Sequence, residues 1–195
     1  MLSVSAHKLY GPKGVGLLYV NSGTKITPWN EGGGHERGMR AGTENIAGII
    51  GLAEAVKIAD RDMIEEVERL TKISRKFYES IKEKIPDIQL NGHYEKRAPN
   101  TINISFKAIE GEAIVLSLDM KGIMVSTGSA CTSGATDPSH VLRAMGVTNE
   151  MAQGSIRFSF GRSNNIEDVD YIVDILAKEV NRLRSISPLY ADSGG

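Results

Sequence analysis

Two short stretches carry residue types that do chemistry, Ser5-Ala6-His7-Lys8-Leu9-Tyr10-Gly11-Pro12 and Ser129-Ala130-Cys131-Thr132-Ser133. A lysine in a small-residue turn, preceded by histidine, is suited to hold an aldehyde cofactor such as pyridoxal phosphate as a Schiff base. That chemistry needs a fixed amine with a lowered pKa. Ser5 and His7 stand beside Lys8 as donors to a phosphate group. The plain alternative makes Lys8 and Lys13 surface lysines around a Gly-Pro turn. Gly11-Pro12-Lys13-Gly14 is no phosphate loop, because it lacks the Gly-Lys-Ser/Thr ending and a following helix.

Cys131 sits in a run, Ser126–Thr136, in which every residue is Ser, Thr, Gly, Ala or the cysteine itself. A buried structural cysteine has large apolar neighbours; here none can pack, which suggests an accessible thiol on the least ordered internal segment. No Lys, Arg or His adjoins it in sequence, so any activation must come through space. Arg157 occupies the small, polar side of a strand whose other side is Ile156, Phe158 and Phe160. It is suited to bidentate recognition of a carboxylate, or equally to pairing with a neighbouring acid. Gly32–Thr43 mixes glycines with His35, Glu36 and Arg37, and reads as a plain loop or as backbone that approaches a ligand or partner closely. Thr43, at a helix start, is a natural anion site. The four histidines have no ligand spacing, and with one cysteine they make no closed zinc or iron–sulfur site within the chain.

The elements that must position these residues follow from periodicity. Val15–Val20 reads as a buried strand, and Pro28–Gly34 as a loop. From Thr43 the apolar residues Ile46, Ile49, Ala53, Val56, Met63, Val67, Leu70, Phe77 and Ile81 recur at helical spacing. Thr43, Glu44 and Asn45 supply the polar start and Pro86 the stop. Such length predicts a break near Ala59–Asp62. Beyond Pro86, Thr101–Phe106 alternates as a strand, Glu110–Met120 is helical, and Gly122–Val125 reads as a short strand. Asp137-Pro138 opens a helix that closes at Gly146. Ser155–Phe160 alternates again, and Ile166–Leu183 is amphipathic. That order describes an α+β unit.

A length of 195 residues suffices for a real core. A net charge of −1 leaves no basic footprint for nucleic acid or an anionic membrane surface. The longest apolar run, Ile46–Leu52, is glycine-interrupted and far too short to span a bilayer. Met1–Lys8 has no charged segment followed by an apolar one, so no secretory leader is expected. One cysteine excludes an internal disulfide and fits a reducing compartment, hence a cytoplasmic location.

Taken together, SAHKLYGPKGVGLLYV, GGGHERGMRAGTENI, APNTINISF, STGSACTSGATDPSHVLRAMG and SIRFSFGR resemble the cysteine desulfurases of the NifS/IscS class, within the class-V aminotransferases. The resemblance runs from Ser3 to about Leu189, and the segment after Cys131 is similar to the first class of that family. It implies an α/β fold, in part the fold type I of pyridoxal-phosphate enzymes. The end of a large cofactor domain would occupy 1–42, a long connecting helix or helix pair 43–86, a small α+β domain carrying the cysteine loop 87–185, and a frayed tail 186–195.

The same resemblance implies that Lys8 is the Schiff-base lysine and proton shuttle. Ser5 and His7 would bind the cofactor phosphate, and Thr43 would reach the phosphate in the other subunit of a homodimer. Arg157 would hold the substrate carboxylate. Cys131 would take the sulfur of L-cysteine as a persulfide, leaving alanine, and pass it to an iron–sulfur scaffold or a tRNA-thiolation partner. It could also act as a transient iron–sulfur ligand shared with that scaffold.

One departure stands out. Members of the family are about twice as long, and only seven residues precede Lys8. The ring-stacking aromatic, the acid paired with the ring nitrogen and most of the phosphate cup would lie upstream. The chain therefore resembles the C-terminal half of a desulfurase, and alone it is expected to bind the cofactor weakly and not to turn over. The competing readings are a non-catalytic fragment serving as an interaction module and a related lyase acting on selenocysteine or cystine.

Overall fold

The computed structural model describes residues 1–128 and 139–191. The chain divides into two compact units, Met1–Ile64 and Glu65–Gly195, and the division falls inside its longest helix. Among the described residues no helix is long and apolar enough to cross a membrane.

In the first unit, β1 (Leu2–Ser5) pairs antiparallel with β2 (Gly16–Tyr19), from Leu2 opposite Tyr19 to Ser5 opposite Gly16. The 3-10 turn Ala6–Leu9 lies between them. The apolar run Val15–Val20 does form a strand, but every residue of β2 is exposed. A two-stranded ribbon with apolar side chains on both faces has too little sheet to bury them.

α1 (Ile46–Lys84) is one helix of 39 residues and continues through Ala59–Asp62, where the sequence predicts a break. No glycine or proline lies between Leu52 and Lys84 to interrupt it. Its first turn is capped by Asn45, whose Oδ1 accepts from Gly48 N at 3.1 Å. Thr43 lies outside that cap, two residues earlier.

In the second unit, β3 (Ile88–Asn91), β4 (Thr101–Phe106) and β5 (Ser155–Ser159) form an antiparallel sheet in the order β3-β4-β5. Between β4 and β5 the chain forms α2 (Gly111–Asp119), α3 (His140–Ala144) and α4 (Asn149–Gln153), and α5 (Asp168–Ser185) follows the sheet. Alternation in β4 and β5 sends Ile102, Ile104, Phe106, Ile156 and Phe158 into the core. There they meet Ile73, Phe77 and Ile81 of α1, Ile114 and Leu118 of α2, and Val169, Val173, Leu176 and Val180 of α5. Phe77 is the hub, with ring centroids 4.7 Å from Phe158 and 5.2 Å from Phe160.

The expected strand Gly122–Val125 does not form. Ile123 N instead donates to Leu118 O, closing the end of α2, and only Ser126 reaches a bridge to the sheet. The predicted helix start at Asp137-Pro138 lies outside the described residues, whereas the predicted close at Gly146 follows α3 as expected.

Arg184, 3% exposed, ties the end of α5 to the β3 entry. Its guanidinium donates to Lys107 O at 3.3 Å, Pro86 O at 2.9 Å and Asp87 O at 3.0 Å. The Tyr190 ring, on α6 (Pro188–Ala191), lies 4.8 Å from the guanidinium carbon, and Tyr190 OH donates to the Asp87 carboxylate at 3.0 Å. Burial holds the Arg184 pKa below the usual guanidinium value, with Tyr190 and Asp87 opposing, and the group stays charged at neutral pH. Arg184→Met keeps much of the volume but orphans three carbonyls at ~1–3 kcal/mol each, partly offset by removing a buried charge. Urea unfolding is expected to give a net loss of about 3 kcal/mol at unchanged slope; an unchanged midpoint would refute the clamp.

Candidate active site

The turn carrying Lys8 is closed on one residue. Ala6, fully buried, donates N–H to Val15 O at 3.0 Å, and its carbonyl accepts from Gly11 N at 2.9 Å and from Tyr10 N. Tyr10 caps it in the left-handed region at φ 61°. The backbone of residues 6–11 is thereby held without help from Ser5, His7 or Lys8. All three side chains are exposed, and none makes a hydrogen bond or ion pair among the described residues. An exposed, unengaged amine on a braced turn, with a serine hydroxyl left unused beside it, is a donor set that fits an aldehyde bearing a phosphate.

The turn rests directly on α1. A Cβ at Gly51 would stand 2.5 Å from Pro12 Cγ, closer than real atoms approach. Position 51 must lack a side chain for Pro12 to sit there. Gly51 was not singled out by sequence reasoning; its signal was a glycine at the centre of an otherwise apolar helical face. Thr43 belongs to the same unit and is exposed, in the irregular segment before Asn45. In the Gly32–Thr43 stretch, Glu36 and Arg37 are consecutive non-glycine residues at φ 50° and 59°. Left-handed backbone costs about 1–2 kcal/mol per such residue, and this kind of strain gathers at ligand clamps and active sites.

Arg157 belongs to the second unit. It stands at mid-β5 opposite Asn103, which stands opposite Asn91, so one polar row crosses all three strands on the face away from the core. Asn91 Nδ2 donates to Asn103 Oδ1 at 2.6 Å and to Ser105 Oγ at 2.7 Å. Arg157 itself is half-buried and has no carboxylate partner among the described residues. The alternative of a structural ion pair therefore has no support there. Asn91 and Asn103 were missed by sequence reasoning, although the alternation Thr101-Asn103-Ser105 against Ile102-Ile104-Phe106 marked that face.

The segment leading to Cys131 is stitched to the same strand. Ser126 N donates to Arg157 O at 3.2 Å, and Arg157 N to Ser126 O at 2.6 Å. Ser155 Oγ donates to Thr127 O at 3.4 Å. Gly154 fixes the start of β5: its carbonyl accepts from Phe106 N at 3.0 Å, and a Cβ there would fall 2.2 Å from Phe106 O. Cys131 follows Gly128 by three residues in sequence and lies, with residues 129–138, outside the described residues. Among the described residues no three His, Cys, Asp or Glu side chains cluster as metal ligands.

Residues 1–172 match the family model of class-V aminotransferases. The chain belongs to that family. It is 51% identical over 188 residues to cysteine desulfurase IscS of Dictyoglomus turgidum, covering 96% of this chain and 48% of that protein. A cysteine desulfurase of a Nostoc species is 46% identical over 195 residues, covering 100% and 49%. A solved NifS-like protein superposes with a TM-score of 0.82 at 37% identity, covering 93% of this chain and 46% of that one. The chain thus spans about half the length of the curated relatives it matches. The expected α/β class holds, although both sheets among the described residues are antiparallel.

If Gly51 admits the turn, Gly51→Ala is expected to cost about 1–3 kcal/mol through the clash with Pro12. Pro12→Ala, which removes the offending Cγ, should recover most of that loss in the double variant. Denaturant midpoints of the four members of the cycle measure the coupling. Simple additivity would contradict it.

Proposed function

We propose that this chain supplies the amine, substrate-binding and sulfur-carrying residues of a cysteine desulfurase. The observation that carries the reading is Lys8, an unengaged amine on a turn braced through Ala6, in a chain about half identical to proteins of that name. Pyridoxal phosphate, when bound, supplies an electron sink for the substrate's α-carbon. Lys8 Nζ is the amine that would hold the cofactor through its aldehyde group, and it would also move the proton at the substrate's α-carbon. Ser5 Oγ and the His7 ring donate to the phosphate, and Thr43 does so in the partner subunit of a homodimer. The free hydroxyl of Ser5, unused as a helix cap, supports its part.

Arg157 holds the carboxylate of L-cysteine through a two-pronged charge-assisted pair. Its lack of an acid partner among the described residues leaves the fork available. The thiolate of Cys131 attacks the substrate sulfur; the carbon–sulfur bond breaks as the sulfur–sulfur bond forms. The carbon skeleton leaves as alanine once its β-carbon gains a proton. Pairing of Ser126 with Arg157 supports this assignment, because the segment bearing the thiol starts beside the residue that would grip the substrate. The acceptor is an iron–sulfur scaffold or another sulfur-receiving protein, in the cytoplasm.

The test joins this chain to the complementary half of a relative. With pyridoxal phosphate and cysteine, the pair is expected to show visible absorbance and to release alanine. Lys8→Ala should abolish the absorbance and slow alanine release by on the order of 10³-fold. An unchanged rate would remove Lys8 from the reaction.

A further inference from the structure

A recess of about 170 Å³ opens in the Glu65–Gly195 unit, between α1 and the segment joining β3 to β4. Its polar lining includes Ser74 and Arg75 from the helix, and Tyr94, Glu95 and Arg97 from the segment. That segment is prefolded: His93 Nδ1 accepts from Glu95 N at 3.0 Å and Lys96 N at 2.9 Å, and Tyr94 packs on Tyr78 at 5.6 Å between centroids. Arg97 is locked by neutral acceptors alone. It donates to Tyr94 O at 3.1 Å, Ala98 O at 3.3 Å, Thr101 O at 2.7 Å and Ser74 Oγ at 3.1 Å. No carboxylate pairs with it among the described residues. Arg75 has one loose partner, Glu95 at 3.8 Å, with both side chains more than half exposed. The other nearby acid, Glu79, accepts from Tyr94 OH at 3.0 Å.

We infer that this recess binds a single oxyanion, a phosphate or carboxylate, between the guanidinium groups of Arg75 and Arg97. Arg75 and Arg97 both line the recess, where the one lining carboxylate, Glu95, is held loosely by Arg75, and Arg97 is immobilised before any ligand arrives, so little ordering opposes binding. The volume falls below the several hundred Å³ of pockets that enclose whole small molecules, which suits one charged group. Burial holds the Arg97 pKa below its usual value, with Tyr94 opposing and the charge of Arg75 adding to the depression. The site lies apart from Lys8, Arg157 and Cys131 in the sequence and does not depend on the desulfurase reading.

Inorganic phosphate and a short polyglutamate peptide, each titrated into the full chain at constant ionic strength, test this by the NMR signal of Arg97 Nε–H. A saturable shift is expected, and Arg75→Gln, at an exposed position, should weaken it about tenfold while leaving the melting temperature in chloride unchanged. Saturation by phosphate points to a free phosphate group as the natural ligand. Saturation by the peptide alone points to carboxylates of a partner protein. No saturation by either probe, or equal saturation in Arg75→Gln, would overturn the inference.

Discussion

The close approach of the Lys8 turn to α1 is the constraint on which the proposed chemistry depends. An amine on a long flexible side chain can be delivered to one place only if the backbone beneath it does not move. Here that backbone is closed on Ala6 by Val15, Tyr10 and Gly11, and seated on the helix at a position where even a methyl group would collide with Pro12. Because the scaffold makes these bonds by itself, the side chains of Ser5, His7 and Lys8 remain uncommitted. A turn held together by those side chains would have no groups left to offer a ligand.

In the second unit the same economy appears in a sheet. The face toward Phe77 is wholly apolar, while the opposite face lines up Asn91, Asn103 and Arg157 across three strands. Arg157 in that row has no acid partner among the described residues, and its backbone pairs with Ser126. The backbone that leads to the proposed sulfur-carrying cysteine is therefore registered to the residue proposed to hold the substrate. Covalent sequence and strand pairing do this together, and neither alone would suffice.

Much of this architecture is legible in the residue pattern alone. Period-two alternation locates β4 and β5, and helical spacing locates α1, α2 and α5. The elements β4, β5, α2, α5 and the part of α1 from Leu70 onward bury one face in a single core, whereas Ile46, Ile49, Val56, Met63 and Val67 of α1 stay exposed. The failures have physical reasons. Val15–Val20 has the composition of a buried strand, but burial belongs to what covers a strand and not to the strand. Ile123 has strand propensity, yet its N–H is spent on Leu118 at the end of a helix. The cap falls to Asn45 rather than Thr43 because the first turn presents the Gly48 amide to it. Asn91 and Arg184 are invisible to such reasoning because their partners are distant in sequence, and short-range patterns carry no record of those pairings. Gly51 could be read only by knowing which loop lies above it.

In the proposed reaction, sulfur leaves the substrate onto Cys131. The most direct test supplies this chain, joined to the complementary half of a relative, with pyridoxal phosphate and cysteine labelled at sulfur. Trapping with an alkylating reagent, followed by peptide mass spectrometry, then locates the label. One additional labelled sulfur is expected on the peptide containing Cys131, absent in Cys131→Ser while cofactor absorbance is kept. Labelled sulfide released to solution, with no sulfur retained at position 131, would contradict it.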